Sequence, residues 1–188
     1  MIVIGNGESR KGIDLPYHSI GCNAIHRDYE IEHIVCVDQR CVREALASPT
    51  THRSVIYTRP DIIKLHRNTD LKPIPEIPFE GTIRADQPQH WGSGGFALLI
   101  AATMSNDIKL IGFDVWGNGQ QINNVYKDTE NYNSATSRAV DPSYWIYQFS
   151  RVFKHYSDKY FTIYNNNSWQ MPKEWNLDNV EFKTLDKF

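Results

Sequence analysis

The sequence predicts one α/β domain in which helices cover both faces of a mainly parallel β-sheet. Short segments rich in Ile and Val stop abruptly at glycine or aspartate, which is typical of buried strands. The segment 93–104 is apolar nearly all the way round and therefore predicts a buried helix. Strand-like and helix-like segments alternate, and this order requires right-handed crossovers between parallel strands. Together these observations predict a three-layer architecture.

The first half of the chain carries most of the predicted strands. They comprise residues 2–4, 19–23, 33–38 and 54–57. Residues 39–47 predict a helix because apolar side chains recur there at spacings of three and four. The segment 59–80 contains four prolines, and it predicts a short helix followed by an irregular connection.

The second half continues the alternation after the buried helix. Residues 108–114 predict a strand that ends in an acid, and residues 160–164 predict another. Asp141 and Pro142 predict the start of a helix, with the aspartate as cap and the proline in the first turn. The tail, residues 165–188, carries Trp169, Trp175 and Phe182 within polar sequence and is expected to wrap the body.

Composition excludes several classes of protein. The 188 residues are enough for one domain, taken as residues 1–188, and 40% of them are hydrophobic, so a packed core is expected. The 20 basic and 22 acidic residues leave a net charge of −2, which argues against a general nucleic-acid binder. No apolar stretch approaches the roughly 18 residues of a transmembrane helix, and the N-terminus lacks a secretory signal pattern. The oligomeric state stays open.

The three cysteines, Cys22, Cys36 and Cys41, all lie in the first quarter of the chain. Two of them fall inside strand-like segments, which favours buried free thiols over metal ligands. A reducing, cytoplasmic location is the expectation that follows.

The turn from Gly5 to Ser9 is the first candidate ligand site. Glycines after a buried strand let a ligand approach the backbone, and exposed N–H groups suit phosphate oxygens. The turn lacks the third glycine of a dinucleotide fingerprint and the Lys-Ser or Lys-Thr pair of a Walker loop. A plain turn at the end of a strand is the alternative interpretation.

The turn from Trp91 to Gly95 is the second candidate. It precedes the buried helix, whose N-terminus offers unpaired N–H groups and the positive end of a dipole. Ser93 can add a hydroxyl or can simply cap the helix. Gly94 and Gly95 each destabilise a helix by roughly 1 kcal/mol, which indicates a close approach to the backbone. His90 can reach a bound anion or can be an ordinary surface histidine.

Two aspartates follow predicted strands and form the third candidate. Acids at the carboxyl ends of parallel strands point into the crevice where ligands bind. Asp38 and Asp114 are therefore candidates for holding ribose or sugar hydroxyls, or alternatively for capping the next helix or turn.

Four of these segments occur in an order that resembles a known family. They are Gly5-Asn6-Gly7-Glu8-Ser9, Cys22-Asn23, Ser93-Gly94 and Gly112-Phe113-Asp114-Val115-Trp116-Gly117-Asn118-Gly119. The series resembles the bacterial sialyltransferases of glycosyltransferase family 42, which carry G-N-G-P-S, C-N, S-G and G-I-D-F-Y-x-N-G. The resemblance covers about residues 1–40 and 90–120. A more distant similarity links the first turn to pterin diphosphokinase-like proteins, whose G-x-G-P-S turn opens a Rossmann-like domain.

The resemblance implies a Rossmann-like fold and a metal-independent transfer from a nucleotide-sugar donor, a CMP-sugar, to a hydroxyl acceptor, with no cofactor. Asn6, Gly7 and Ser9 would lie along phosphate and ribose. The full set of positions that it implies for nucleotide binding is Asn6, Gly7, Ser9, Asn23, Ser93, Gly94, Gly112, Phe113 and Asp114. Trp116 stands where the family has a tyrosine that hydrogen-bonds the departing phosphate.

Besides Trp116, the chain departs from the family at two further places. Glu8 replaces the proline of the first turn and brings a negative charge that Arg10 and Lys11 can offset. The family histidine that takes the acceptor proton is missing, so Asp141 is the nominated base, with helix capping as its alternative role. The polar segment 117–140 is a candidate lid over the site.

Three functions are compatible with these features. The first is the glycosyltransferase. The second is another nucleotide-dependent transferase, such as a diphosphokinase, which would need Mg²⁺ held by Asp38 and Asp114. The third is a structural or interaction protein that keeps a nucleotide-binding fold without activity.

Overall fold

One parallel sheet organises the computed structural model, which describes residues 1–79, 84–117 and 119–188. Within those residues eight strands pair side by side, all parallel. The strands are β1 (Ile2–Ile4), β2 (Ser19–Cys22), β3 (His33–Val35), β4 (Val55–Thr58), β5 (Lys72–Pro73), β6 (Asp107–Ile111), β7 (Tyr160–Asn165) and β8 (Val180–Thr184). The predicted parallel sheet is thereby confirmed.

The strand order is β5-β4-β3-β2-β1-β6-β7-β8, so the side on which the chain adds new strands changes at β1. The chain builds outward from β1 to β5 and then returns to place β6 on the other side of β1. Ile4 pairs with Gly21 of β2 on one side and with Ile111 of β6 on the other. In sheets of this kind the carboxyl ends of the strands around such a reversal form the ligand crevice. The motifs that follow β1 and β6 therefore meet at that crevice.

Helices cover both faces of the sheet, which confirms the three-layer α/β architecture. The helices are α1 (Gln39–Ala47), α2 (Pro60–Ile63), α3 (Ser93–Met104) and α4 (Ser143–His155). Val3 packs in the core beneath α3 and α4, whereas the next residue, Ile4, packs in the core beneath α1. This alternation is what a strand buried on both faces requires. Within the described parts of the chain, no helix has the length and apolar character needed to cross a bilayer.

Helix α3 is the centre of one layer, as its composition predicts. It packs across β1, β2 and β3, and its residues 95–102 are all buried. Helix α4 lies against α3 and presents an apolar stripe that includes Phe149, Val152 and Phe153. Helix propensity alone would not hold a segment with Gly94 and Gly95 in its first turn, so burial on all sides is what stabilises it.

Both edges of the sheet carry short additions that the sequence patterns do not reveal. Strand β5 contains Pro73, which an edge strand tolerates because one of its sides needs no N–H donor. At the other edge the tail supplies β8, beyond its predicted wrapping role. Trp175 precedes β8, is fully buried, and stacks on Phe149 at 5.2 Å between ring centroids. The tail is therefore part of the core.

Candidate functional site

A polar network crosses the carboxyl ends of the central strands. The Ser93 hydroxyl, in the first turn of α3, donates to Asn23 Oδ1 at 2.7 Å. The same hydroxyl accepts the N–H of Val37 at 3.1 Å, just beyond β3. Asn23 follows β2 and adopts a left-handed φ of 52°, which asparagine tolerates better than most residues. Two of the motifs noted in the sequence are thus in direct contact.

Tyr132 extends this network to the first turn. Its hydroxyl accepts from Asn6 Nδ2 at 3.4 Å and from the Ala24 N–H at 3.3 Å. The side-chain oxygen of Asn6 is buried and has no hydrogen-bond partner among the described residues. Burial raises the pKa of Tyr132, so this hydroxyl is a neutral donor and acceptor and not a base. We call the group Asn6, Asn23, Ser93 and Tyr132 the edge network.

The hollow of the first turn is filled by the carboxylate of Asp114. Ser9 donates both its N–H, at 3.0 Å, and its hydroxyl to this carboxylate, and Asn165 Nδ2 donates at 3.2 Å. A Cβ on Gly7 would lie 2.6 Å from the carboxylate oxygens, so glycine is needed there to admit Asp114. The acid occupies the place that the phosphate cradle interpretation reserves for an anion.

Two further N–H groups of this turn also have partners inside the protein. Gly7 donates to the carbonyl of Gly112 at 2.7 Å, and Glu8 donates to Asn123 Oδ1 at 2.8 Å. The resemblance places Gly7 and Ser9 along a phosphate, but their donors are already used. In this structure Gly7, Ser9 and Asp114 therefore close the turn on one another.

Packing explains the glycines at the start of α3. A Cβ on Gly95 would lie 2.6 Å from Gln148 Oε1, and a Cβ on Gly94 would lie 3.0 Å from the Phe113 ring. The close approach indicated by these glycines is thus made by protein side chains. Gly92, not Ser93, is the N-cap residue of α3. The N–H groups of Ser93 and Gly94 meet no acceptor in the described residues, so the start of α3 keeps open donors.

Gly112 and Phe113 join the two central strands to the helices. Gly112 adopts a φ of +72°, and a Cβ there would lie 2.8 Å from the carbonyl oxygen of Gly5. Phe113 packs against Phe149 of α4 with 4.9 Å between ring centroids. Both residues lie at the crevice, as the resemblance implies, and in this structure both make packing contacts.

The charges around Glu8 differ in part from the sequence-based expectation. Lys11 and Lys127 contact the Glu8 carboxylate at 2.7 and 3.0 Å, and the hydrogen bond from Lys11 is the main reason that the pKa of Glu8 is lowered. Arg10 points inward instead, is 2% exposed, and contacts Asp28 at 2.9 Å. Arg10 therefore supports the fold beneath the turn and does not neutralise Glu8.

Each of the three nominated catalytic residues makes its own contact within the protein. Trp116 donates its indole N–H to the carbonyl of Gln170 at 2.7 Å, so that donor is already used. Asp141 is exposed and accepts the Ser143 N–H at 2.9 Å, which lowers its pKa. His90 lies in a single turn just before α3, and its carbonyl accepts from Gln148 Nε2 at 3.0 Å. Pro142, not Asp141, is the N-cap residue of α4, and Asp141 lies one residue before it.

Asp38 has different surroundings from the buried Asp114. It precedes α1 as the N-cap residue, is exposed, and makes no side-chain capping bond. Nowhere in residues 1–79, 84–117 and 119–188 do three His, Cys, Asp or Glu side chains come together as metal ligands do.

The candidate lid is held down along much of its length. Val125 donates its N–H to the carbonyl of Asn6 at 2.8 Å. Arg27 donates to the Thr129 hydroxyl at 2.6 Å and to the Glu130 carbonyl at 2.9 Å. Tyr132 enters the edge network from the same segment. Asn118, part of the resemblance and of the segment 117–140, lies outside the described residues.

All three cysteines are buried free thiols, as the sequence predicts. Burial raises the pKa of Cys22 to about 12 and that of Cys41 to about 11, and it raises the pKa of Cys36 as well. We expect none of them to react with an aromatic disulfide reagent within minutes in the native protein, since the thiolate is the reactive form. All three should react once guanidinium unfolds the chain. Rapid native labelling of any one would contradict the structure.

Two contacts at the crevice lie beyond what the sequence patterns show. Asn165 and Trp169, both from the tail, hold the side chain and the carbonyl of Asp114, the latter at 2.7 Å from the indole nitrogen. An asparagine at the carboxyl end of a predicted strand was the available signal, because strand ends converge there. Comparison of the chain with family models, with curated proteins and with solved structures finds no match.

Proposed function

We propose that this protein is a nucleotide-dependent glycosyltransferase whose donor nucleotide lies over the edge network, in front of α3. One observation carries the proposal: segments far apart in sequence meet at the carboxyl ends of β1 and β2, where Ser93 bonds to Asn23 and Tyr132 bonds to Asn6 and to the N–H that follows Asn23. Ligands of open parallel sheets bind at this edge. The cytidine base of the donor is an inference from the resemblance alone.

The diphosphate or phosphate group is assigned to the start of α3. The open N–H groups of Ser93 and Gly94 and the helix dipole favour an anion at that place. The first turn is excluded from this role, because a phosphate there would have to displace the Asp114 carboxylate from three donors. The proposed phosphate position therefore leaves out Gly7 and Ser9, which the resemblance places along the phosphate.

In the proposed reaction an acceptor hydroxyl oxygen bonds to the anomeric carbon of the donor sugar. The bond from that carbon to the phosphate oxygen breaks, and the nucleotide leaves with the electron pair. Donors at the start of α3 stabilise the charge that develops on the phosphate. Asp141 is the nominated base for the hydroxyl proton, and its lowered pKa makes it a weak one.

The filled hollow favours a second candidate function, a protein that keeps this fold without catalysis. A carboxylate held by Ser9 and Asn165 satisfies the turn without any ligand. A structural or interaction protein would not need a ligand at this edge of the sheet. The two candidates differ in whether a nucleotide binds.

Nucleotide binding is tested by thermal unfolding with CMP, CDP, UDP, GDP and ADP in the presence of EDTA. We expect a cytidine nucleotide to raise the unfolding midpoint, because a ligand that binds only the native state stabilises it. Calorimetry with CMP on the Ser93→Ala variant should then show affinity lower by about tenfold, or about 1.4 kcal/mol. Asn23→Gly, which keeps the left-handed backbone, should weaken CMP similarly.

Ser157→Ala is the matched control, since Ser157 is exposed at the far end of α4. It should bind CMP as the wild-type chain does. A panel without any midpoint shift would contradict the transferase and favour the non-catalytic candidate. Equal CMP affinity in the wild type and in Ser93→Ala would remove the edge network as the nucleotide site.

A further inference from the structure

A concave site lies at the carboxyl ends of β1, β6 and β7, and Glu8 of its lining is two residues from Asn6 of the edge network. It is an open cleft of about 540 Å³, large enough for one or two sugar rings. The side chains that define its chemistry are Glu8, Asp114, Trp116, Asn123, Asn166 and Gln170.

The charge of the lining disfavours an anionic ligand. Two carboxylates, Glu8 and Asp114, face the cleft, and no Lys or Arg is among the described residues that line it. The pKa of Glu8 is lowered, so this group stays ionised at neutral pH. A phosphate or a carboxylate in the cleft would meet these carboxylates directly, because the lysines that pair with Glu8, Lys11 and Lys127, are not among the lining residues. A neutral ligand that donates hydrogen bonds fits this environment.

The polar groups of the lining suit hydroxyls. Asn123 uses its side-chain oxygen for the Glu8 N–H and keeps its amide N–H groups without a described partner. Asn166 and Gln170 are exposed, and neither side chain makes a hydrogen bond within the described residues. Amides and carboxylates together offer both donors and acceptors, which is what vicinal hydroxyl groups require.

Trp116 adds a flat apolar surface to this polar lining. It is 39% exposed, and no other aromatic ring of the described residues packs on it. Its N–H is held by the Gln170 carbonyl, so the ring orientation is set before any ligand arrives. An exposed indole beside hydroxyl-binding amides can contact the C–H face of a sugar ring.

We infer that this cleft binds a neutral carbohydrate, with the sugar ring lying on Trp116 and its hydroxyls hydrogen-bonded by Asn123, Asn166 and the Glu8 carboxylate. Its identification as the acceptor subsite rests on the proposed function, because the acceptor of that reaction must lie beside the donor. The binding itself does not, since it needs no nucleotide.

The test is saturation-transfer NMR on the full chain with glucose, galactose, lactose and maltose, followed by titration of each sugar that gives a signal. We expect signal from ring C–H protons of at least one sugar without nucleotide. Trp116→Ala should weaken its binding about tenfold, whereas Trp116→Phe should retain most of it because the ring face remains. Asn123→Ala should weaken it as well.

Tyr160→Ala is the matched control, because Tyr160 is a 68% exposed aromatic residue at the opposite end of the sheet. It should leave sugar binding unchanged. Silence of the whole sugar panel, or equal binding in Trp116→Ala, would overturn the inference. Sugar binding without CMP binding would retain the cleft and refute the transferase, whereas CMP binding without sugar binding would do the reverse.

Discussion

Replacement of Asp114 by alanine is expected to lower the free energy of unfolding by about 4 kcal/mol. The Asp114 carboxylate accepts the N–H and hydroxyl of Ser9 and the amide of Asn165, and the residue is buried. Each donor left unpaired in such a place costs roughly 1–3 kcal/mol. A residue that merely waited for a ribose would have no such effect, so the experiment separates a structural acid from a ligand-binding one.

Urea unfolding followed by circular dichroism measures this loss. Asp114→Asn should lower the free energy of unfolding by a smaller amount. The remaining side-chain oxygen still accepts hydrogen bonds, although the new amide group faces donors. Asp178→Ala is the matched control, because Asp178 is exposed and should change stability by less than about 0.5 kcal/mol. Wild-type stability in Asp114→Ala would contradict the filled hollow and reopen the first turn as a phosphate cradle.

Replacement of Gly5 by alanine should destabilise the protein by about 3 kcal/mol or prevent folding. A Cβ on Gly5 would lie 2.8 Å from the carbonyl carbon of Gly112, closer still to its oxygen, and 2.9 Å from Phe113. The obstructing atoms of Gly112 are backbone and cannot rotate aside, so β1 and β6 would have to separate. Gly5 also donates its N–H to Ile111 at 2.8 Å, which such a separation would break.

The same urea experiment tests Gly5→Ala against Gly92→Ala. The nearest atom to a Cβ on Gly92 is Trp145 Nε1 at 3.5 Å, an ordinary contact, and its φ of −80° suits any residue. Gly92→Ala should therefore lose about 1 kcal/mol or less, the usual effect at an N-cap. If both variants were equally stable, the tight contact between the ends of β1 and β6 would be refuted.

The contacts of Gly5 and Gly7 change how the glycine motifs of the sequence are interpreted. Gly5 and Gly7 permit close approach, but what approaches is Gly112 and the Asp114 carboxylate. A glycine-rich turn after the first strand has the same sequence signature whether its neighbour is a phosphate or another part of the chain. The edge network, in contrast, leaves donors at the start of α3 open, and for that reason it carries the functional proposal.

The predictable part of this protein is its local and periodic structure. Helix α1 has the bounds expected from its apolar spacing, and α3 is buried because it has no polar face. Alternation of strands and helices was enough to predict the parallel sheet. The two edge strands, β5 and β8, were not predictable. Strand β5 has only two residues and strand β8 is half-exposed, so neither has a clear apolar period.

Roles at the crevice depended on contacts between distant segments. The sequence places Asp114 at a strand end, yet its partners are Ser9, 105 residues earlier, and Asn165, 51 residues later. Nothing in a local pattern states whether an acid there meets solvent, ligand or another turn. Composition and periodicity report on short-range geometry and on burial, so they determine the layers. Whether a hollow is open or filled depends on which side chains the fold brings together, and that follows only from the packed arrangement of all the strands.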